Sequence, residues 1–310
     1  MTTDAGRRVR GRLAPDAMYP AGVESIRTRR VTLPSGLTLR VADAGHPSAQ
    51  PVLLLHGWGA SLYMWRAWFE PLAAAGFRVV AVDLPGHGLS DKPVAKGAYT
   101  LAQQVSVMRD FIVRERLDNV HLVAQSMGGS VALELALQAD RRIGQLALIN
   151  PVALGRVLLQ PLVKFVTPPL VDKMLGGRVP RWMIANAQRL AYADPSRVSP
   201  RDIDEYWAPT QFADFFPSTR RMIHEFQWRR EPVDRMAARL ASLGRAPLVV
   251  LSGRDRLVGG ARPYAAALRR LGASLDVLEL ATSGHAVNEE EPERVLPRVL
   301  AHLAGRAADG

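Results

Sequence analysis

Three residues far apart in the chain, Ser126, Asp255 and His285, have the types and settings that nucleophilic catalysis needs. A serine hydroxyl is a weak nucleophile until a base takes its proton and a third group orients that base. Ser126 follows the apolar run Val120–Ala124 with one residue between, and a helical pattern begins at Gly128. So tight a turn from strand to helix strains the backbone and is tolerated only where flanking side chains are small. Two positions either side of Ser126 stand Ala124 and Gly128, with Gly129 next. The same turn aims the first helical N–H groups, including that of Met127, at the space above the serine oxygen. A serine entering a helix can instead be its cap, but a cap needs no small residues on both sides. Asp255, in Ser252-Gly-Arg-Asp-Arg-Leu257, and His285, in Ser283-Gly-His, each follow another apolar run, Leu248–Leu251 and Leu275–Leu280. His56-Gly-Trp58-Gly59 offers a further backbone N–H, that of Trp58, beside glycines that allow close approach. His56 itself reads as a buried hydrogen-bonding residue, and Asp83 and His87 as residues that shape their loop.

These residues share an address only if their runs are neighbouring parallel strands. Active groups of an open parallel sheet gather at the strands' carboxyl ends, where the loops converge on one crevice. Strands are predicted at 25–33 and 37–43 around Pro34-Ser35-Gly36, then at Pro51–Leu55, Phe77–Val82, Val120–Ala124, Leu146–Ile149, Leu248–Leu251 and Leu275–Leu280. Several of these are short and apolar without alternation, as strands buried on both faces are. Helical patterns at 62–75, 101–116 and 128–139 lie between them. The alternation predicts an α/β fold, a mostly parallel doubly wound sheet. The rhythm stops between Asn150 and Pro247, where Pro-punctuated amphipathic pieces carry ten of the chain's twenty aromatics. The expected organisation is a basic N-terminal arm (1–24), a core (25–151 and 246–310) and a helical cap or lid (152–245) inserted after the sixth strand.

Composition narrows the chemistry. The 310 residues include no cysteine, which removes thiol nucleophiles, disulfides and thiolate metal sites. No HExxH or Walker pattern occurs, and DLPGHG at 83–88 is not a dinucleotide fingerprint, so neither cofactor nor metal is expected. The net charge of +11 suggests a polyanion until it is located along the chain. Residues 1–30 carry +4 and residues 152–245 carry +6, which leaves +1 for everything else. Charge confined to an arm and a cap suits acidic substrates or an anionic surface and does not call for nucleic acid. No apolar run is long enough to span a membrane, and no apolar segment follows the N-terminal arginines, so a cytoplasmic location is expected.

From about residue 25 to 303 the chain resembles the α/β-hydrolase fold superfamily. The landmarks stand in order: HGWG at 56–59, DLPGHGLSDKP at 83–93, AQSMGG at 124–129, GRDRLV at 253–258 and GHAVNEEEPE at 284–293. Ala124 replaces the first glycine of the usual Gly-x-Ser-x-Gly elbow, and remains small. The resemblance implies a catalytic triad of Ser126, Asp255 and His285, with an oxyanion hole from the Trp58 and Met127 amides. Some relatives place the acid after the sixth strand. Asn150 stands there, which leaves that role to Asp255.

A serine in place of an aspartate at the elbow favours acyl chemistry over dehalogenation or epoxide opening. The expected activity is that of a serine hydrolase, carboxylesterase-like, acting on a small-molecule ester. Trp58, Gln125, Trp182, Trp207 and Phe212 are the candidate substrate contacts. Hydrolases of ring-fission diketo acids are similar in the SMGG elbow and the cap. They carry HGGGPG, Asn and Trp where this chain has HGWGAS, Gln125 and Ala286. Further alternatives are an interfacial lipase using the apolar segment Val157–Leu175 and a non-catalytic ligand-binding protein of the same fold.

Overall fold

The computed structural model describes residues 13–138, 142–158, 160 and 179–305. Eight strands form the central sheet. They are β1 (Arg27–Thr32), β2 (Thr38–Ala44), β3 (Gln50–Leu55), β4 (Phe77–Val82), β5 (Val120–Gln125), β6 (Ile143–Ile149), β8 (Leu248–Ser252) and β10 (Asp276–Leu280). A separate two-stranded ribbon pairs β7 (Arg156–Val157) with β9 (Val258–Gly259). The order across the main sheet is β1-β2-β4-β3-β5-β6-β8-β10. The β1–β2 and β2–β4 pairs are antiparallel, and every pairing from β4 to β10 is parallel.

Both faces of this sheet are covered, which explains the unbroken apolar runs. On β3, Leu53 and Leu55 enter one apolar cluster, while Val52 and Leu54 enter the cluster on the opposite face. On β5, Leu122 and Ala124 are separated from Val123 in the same way. Burying each such Val or Leu side chain stabilises the fold by about 1.5–3 kcal/mol.

The helices flanking the sheet are α1 (Phe69–Ala74), α2 (Leu101–Arg114) and α3 (Ser126–Leu137), followed after the cap by α8 (Ala261–Arg270), α9 (Val287–Glu290) and α10 (Pro292–Leu303). The predicted helix over 62–75 is instead a 3₁₀ turn, Leu62–Trp65, followed by α1. Pro71 accounts for the break. Its ring has no N–H to give and would strike the carbonyl four residues back in a continuous helix, so it falls in the first turn of a new one.

Between β6 and β8 the described residues form α4 (Arg181–Ala191), α5 (Pro200–Trp207), α6 (Phe215–Glu225) and α7 (Val233–Ala241). This is the helical cap inserted after the sixth strand. Its last helix packs into the body, since Met236, Ala237 and Leu240 share an apolar cluster with Val249 and Leu268. The two ends of the insertion are sewn together. Arg156 bridges Arg229, Val157 N–H donates to the Trp228 carbonyl (3.2 Å), and Arg230 N–H donates to that of Gly155 (2.9 Å). Further along, a buried polar group joins cap to core. Tyr63 donates to Asp202 (2.7 Å), Tyr206 donates to Glu289 (2.7 Å), and Arg66 pairs with both carboxylates (3.0 and 2.5 Å). Burial pushes the Glu289 carboxyl up, against the pull of Arg66. The segment before β1 crosses the same seam, where Tyr19 N–H donates to Glu205 (2.8 Å) and Arg201 to the Ala17 carbonyl (2.8 Å).

The contact of α3 with the sheet fixes its first turn. A Cβ added at Gly128 would lie 2.5 Å from the His56 carbonyl oxygen and 2.6 Å from that of Leu55. Helix propensity favours Gly128→Ala by about 1 kcal/mol, but both obstacles are backbone and cannot rotate aside. Overpacking of this kind costs about 1–3 kcal/mol, so the substitution is expected to lower the free energy of unfolding. Urea unfolding of the two proteins measures the sign. A stabilised alanine variant would mean that α3 sits further from β3 than described.

Candidate active site

Ser126 is the first residue of α3 and has a φ of +52°, in the left-handed region. Such an angle is uncommon outside glycine, and it lets β5 run into α3 with no intervening loop. The capping position belongs to Gln125, whose side chain makes no capping bond. Ser126 is therefore not the helix cap. Gly57 lies against it, because a Cβ on Gly57 would come within 3.0 Å of the Ser126 Cβ. The HGWG loop and the serine turn thus meet at the carboxyl ends of β3 and β5.

Asp255 and His285 meet beside them. His285 Nδ1 lies 2.7 Å from Asp255 Oδ2, with both side chains buried. The other carboxylate oxygen accepts from the N–H groups of Leu257 (2.9 Å) and Val258 (2.8 Å). In the neutral tautomer that donates from Nδ1 to this carboxylate, Nε2 is the acceptor of the ring. The ribbon β7–β9 anchors the cap entry to the end of this aspartate loop, and Leu158 N–H donates to the Leu257 carbonyl (2.9 Å). The histidine loop is tied to the cap as well. Ala286 N–H donates to the Ala191 carbonyl (3.0 Å), and Glu290 accepts from the N–H groups of Ala193 (3.0 Å) and Asp194 (2.6 Å).

The remaining sequence candidates divide by placement. Trp58 is 38% exposed and meets Trp228 edge to face at 5.8 Å, across the seam between the HGWG loop and the end of the cap. Trp228 was not distinguished in sequence from the other cap aromatics. Its signal is positional, at the point where the insertion returns to the body. Gln125 is buried and donates its amide to the His285 carbonyl (3.1 Å). Trp207 is buried within the cap, with its indole N–H on the Val179 carbonyl (2.8 Å), whereas Trp182 is 64% exposed. Phe212 packs beneath the Lys92 ammonium at 5.1 Å, and burial pushes Lys92 down to about 8. Of Val157–Leu175, residues 159 and 161–175 lie outside the described residues, as do Phe165 and Arg178.

His56 and His87 are buried supports. His56 Nε2 accepts from Leu84 N–H (2.9 Å), its Nδ1 faces the Gly57 carbonyl (2.7 Å), and the His87 ring lies against it at 4.9 Å. Asp83 Oδ1 accepts from Leu62 N–H (2.7 Å) and Oδ2 from Leu89 N–H (2.8 Å), joining the loops after β3 and β4. Among the described residues no group of three or more His, Asp or Glu side chains is placed to hold a metal ion. No helix among them is long and apolar enough to cross a membrane.

The site thus combines a mostly parallel sheet, a cap after its sixth strand and a serine at positive φ on the strand–helix turn of β5 and α3. The chain belongs to the alpha/beta hydrolase family, whose model matches residues 52–298. It is similar to the dihydrolipoyllysine-residue acetyltransferase component of the acetoin cleaving system of Cupriavidus necator. That match is 29% identical over 277 residues, 87% of this chain and 67% of the relative. A haloalkane dehalogenase of Psychrobacter cryohalolentis is 39% identical over 116 residues, which is 37% of this chain and 38% of the relative. Among solved structures, 2-hydroxy-6-oxo-6-phenylhexa-2,4-dienoate hydrolase from Rhodococcus sp. superposes with a TM-score of 0.74. It is 23% identical, with 90% of this chain and 99% of that one covered. Family model and fold together place this chain in the α/β-hydrolase superfamily.

The buried histidines carry a consequence for stability. Burial lowers His56, and it lowers His87 well below the ordinary imidazole value, helped by the neighbouring His56. The unfolded chain therefore takes up protons below about pH 6.5 while these folded imidazoles stay neutral, so stability falls as pH drops. The loss falls between about pH 7 and 5.5, where the imidazoles of the unfolded chain take up their protons. Urea unfolding at the two pH values is expected to show a smaller loss for His87→Gln than for wild type. Equal losses would mean that His87 is protonated in the folded state.

Proposed function

We propose that the protein is a serine hydrolase that cleaves a carboxylic ester through an acyl-enzyme, with Ser126 as nucleophile. The observation that carries this reading is the His285–Asp255 pair, its Nδ1 held at 2.7 Å, in a sheet that also presents left-handed Ser126 at a strand's carboxyl end. His285 Nε2 takes the Ser126 proton as the oxygen bonds to the substrate's carbonyl carbon. The N–H groups of Trp58 and Met127 donate to the carbonyl oxygen as negative charge develops on it. Collapse of that intermediate breaks the carbon–oxygen ester bond, and the imidazolium gives its proton to the departing alkoxide. Water then attacks the acyl-enzyme with His285 as base, releasing the carboxylic acid and restoring Ser126.

In this reading the core, 25–151 with 246–310, carries the reacting groups, and the cap, 152–245, covers the substrate. Trp58, with Trp228 against it, supports an apolar contact for the substrate near the nucleophile. A second reading is hydrolysis of a carbon–carbon bond in a ring-fission diketo acid. It is favoured by the match to the Rhodococcus hydrolase along nearly its whole length and by the SMGG elbow at 126–129. The departures at HGWG, Gln125 and Ala286 place it second.

A fluorophosphonate probe is expected to label wild type and not Ser126→Ala, with the adduct mapped by mass spectrometry to the peptide containing Ser126. The p-nitrophenyl acetate and butyrate esters are expected to turn over, with kcat/KM lost by about 10⁴-fold or more in Ser126→Ala and by about 10²–10⁴-fold in Asp255→Asn. Cleavage of a vinylogous diketo acid, with neither ester touched, would install the second reading. No labelling and no turnover of any of these substrates would reject both.

A further inference from the structure

At the end of β6 the backbone of Asn150 takes a φ of +44°, and its buried side chain reaches two other loops at once. Its Oδ1 accepts from Ser252 N–H (2.8 Å), at the end of β8 and three residues before Asp255. Its Nδ2 donates to Ser252 Oγ (2.9 Å) and to the backbone carbonyl of His285 (2.9 Å), with the Gly284 carbonyl at 3.3 Å. The same His285 carbonyl accepts a second amide, from Gln125 (3.1 Å), the residue before Ser126. Two buried primary amides from the ends of β5 and β6 therefore converge on one carbonyl oxygen, and that oxygen belongs to His285.

We infer that Asn150 is a positioning residue which, with Gln125, clamps the His285 backbone so that its imidazole bridges Asp255 and Ser126; this rests on the serine-hydrolase reading above. The residue type supports the inference. Asn, Asp and Gly all accommodate positive φ, so the backbone alone does not select among them. Only asparagine both accepts from the Ser252 amide and donates to the carbonyls of the histidine loop. Aspartate would keep the first bond and turn an acceptor toward two carbonyl oxygens. Glycine would keep the backbone and remove the clamp. An imidazole that must meet its proton donor and acceptor within hydrogen-bond reach depends on its backbone in this way, because small displacements from the reacting geometry cost rate.

Asn150→Gly isolates the clamp from the backbone angle. With p-nitrophenyl acetate its kcat is expected to fall by about 10- to 100-fold, the scale of a roughly 1 Å misplacement, while KM changes by less than about threefold. The downfield proton resonance of the His285 Nδ1–H is expected to broaden or move upfield in the folded variant. Asn150→Asp should lose at least as much although it retains the Ser252 bond, and Gln125→Leu, which removes one of the two donors, should lose less. Wild-type kcat together with an unmoved resonance in folded Asn150→Gly would overturn the clamp. If that variant does not fold, the same two results in Gln125→Leu would overturn it. Absence of ester turnover by wild type would count against the functional reading alone, since the resonance still tests the clamp.

Discussion

A chain that passes from a buried strand to a helix within one residue has to hold that residue at positive φ, and at Ser126 the angle is +52°. The neighbouring sequence follows from that constraint. Gly128 brings α3 against the carbonyls of Leu55 and His56, and Gly57 lets the HGWG loop reach the serine. Gly129 packs on Pro151, where a Cβ would lie 2.9 Å from the proline Cβ. The contacts of Gly128 and Gly129 are with backbone and with a stiff ring, so neither yields to a rotamer change, whereas Gly57 meets the side chains of Gln125 and Ser126. The result is a hydroxyl held at one position relative to the ends of β3 and β5.

The cap has an unusual relation to this site, because it is attached to the loops that carry the other two polar groups. The aspartate loop runs directly into the ribbon that holds the cap's entry strand. The histidine loop accepts and donates hydrogen bonds with residues 191–194 of the cap. The buried group of Arg66, Asp202, Glu289 and two tyrosines adds a third attachment, four residues beyond His285. The cap is therefore joined to both loops that carry the Asp255–His285 pair. The positive charge of residues 152–245 rides on the same cap, outside a nearly neutral body.

Most of the sheet was legible in the sequence, because parallel strands buried on both faces appear as short apolar runs, as at Val52–Leu55. The addresses of Ser126, Asp255 and His285 were legible for the same reason, since each follows such a run. The helix over 62–75 was not, because its apolar spacing is helical while Pro71 forbids continuity. Gln125 is a candidate substrate contact in the sequence, and its partner, the carbonyl of a residue 160 positions away, is visible only in the fold. The clamp of Asn150 and the pairing of Trp58 with Trp228 depend equally on distant partners. Trp207 shows the limit of composition: an aromatic-rich insertion suggests pocket walls, and this indole instead holds the cap's own backbone at Val179.

The account turns on an acyl group attached to Ser126. Acid quenching within milliseconds of mixing with a short p-nitrophenyl ester, followed by peptide mass spectrometry, measures it directly. The predicted result is an adduct of the acyl mass on the peptide that contains Ser126, formed with the burst of nitrophenol and absent from Ser126→Ala. Continued turnover with an unmodified Ser126, or with the acyl group on another residue, would contradict it.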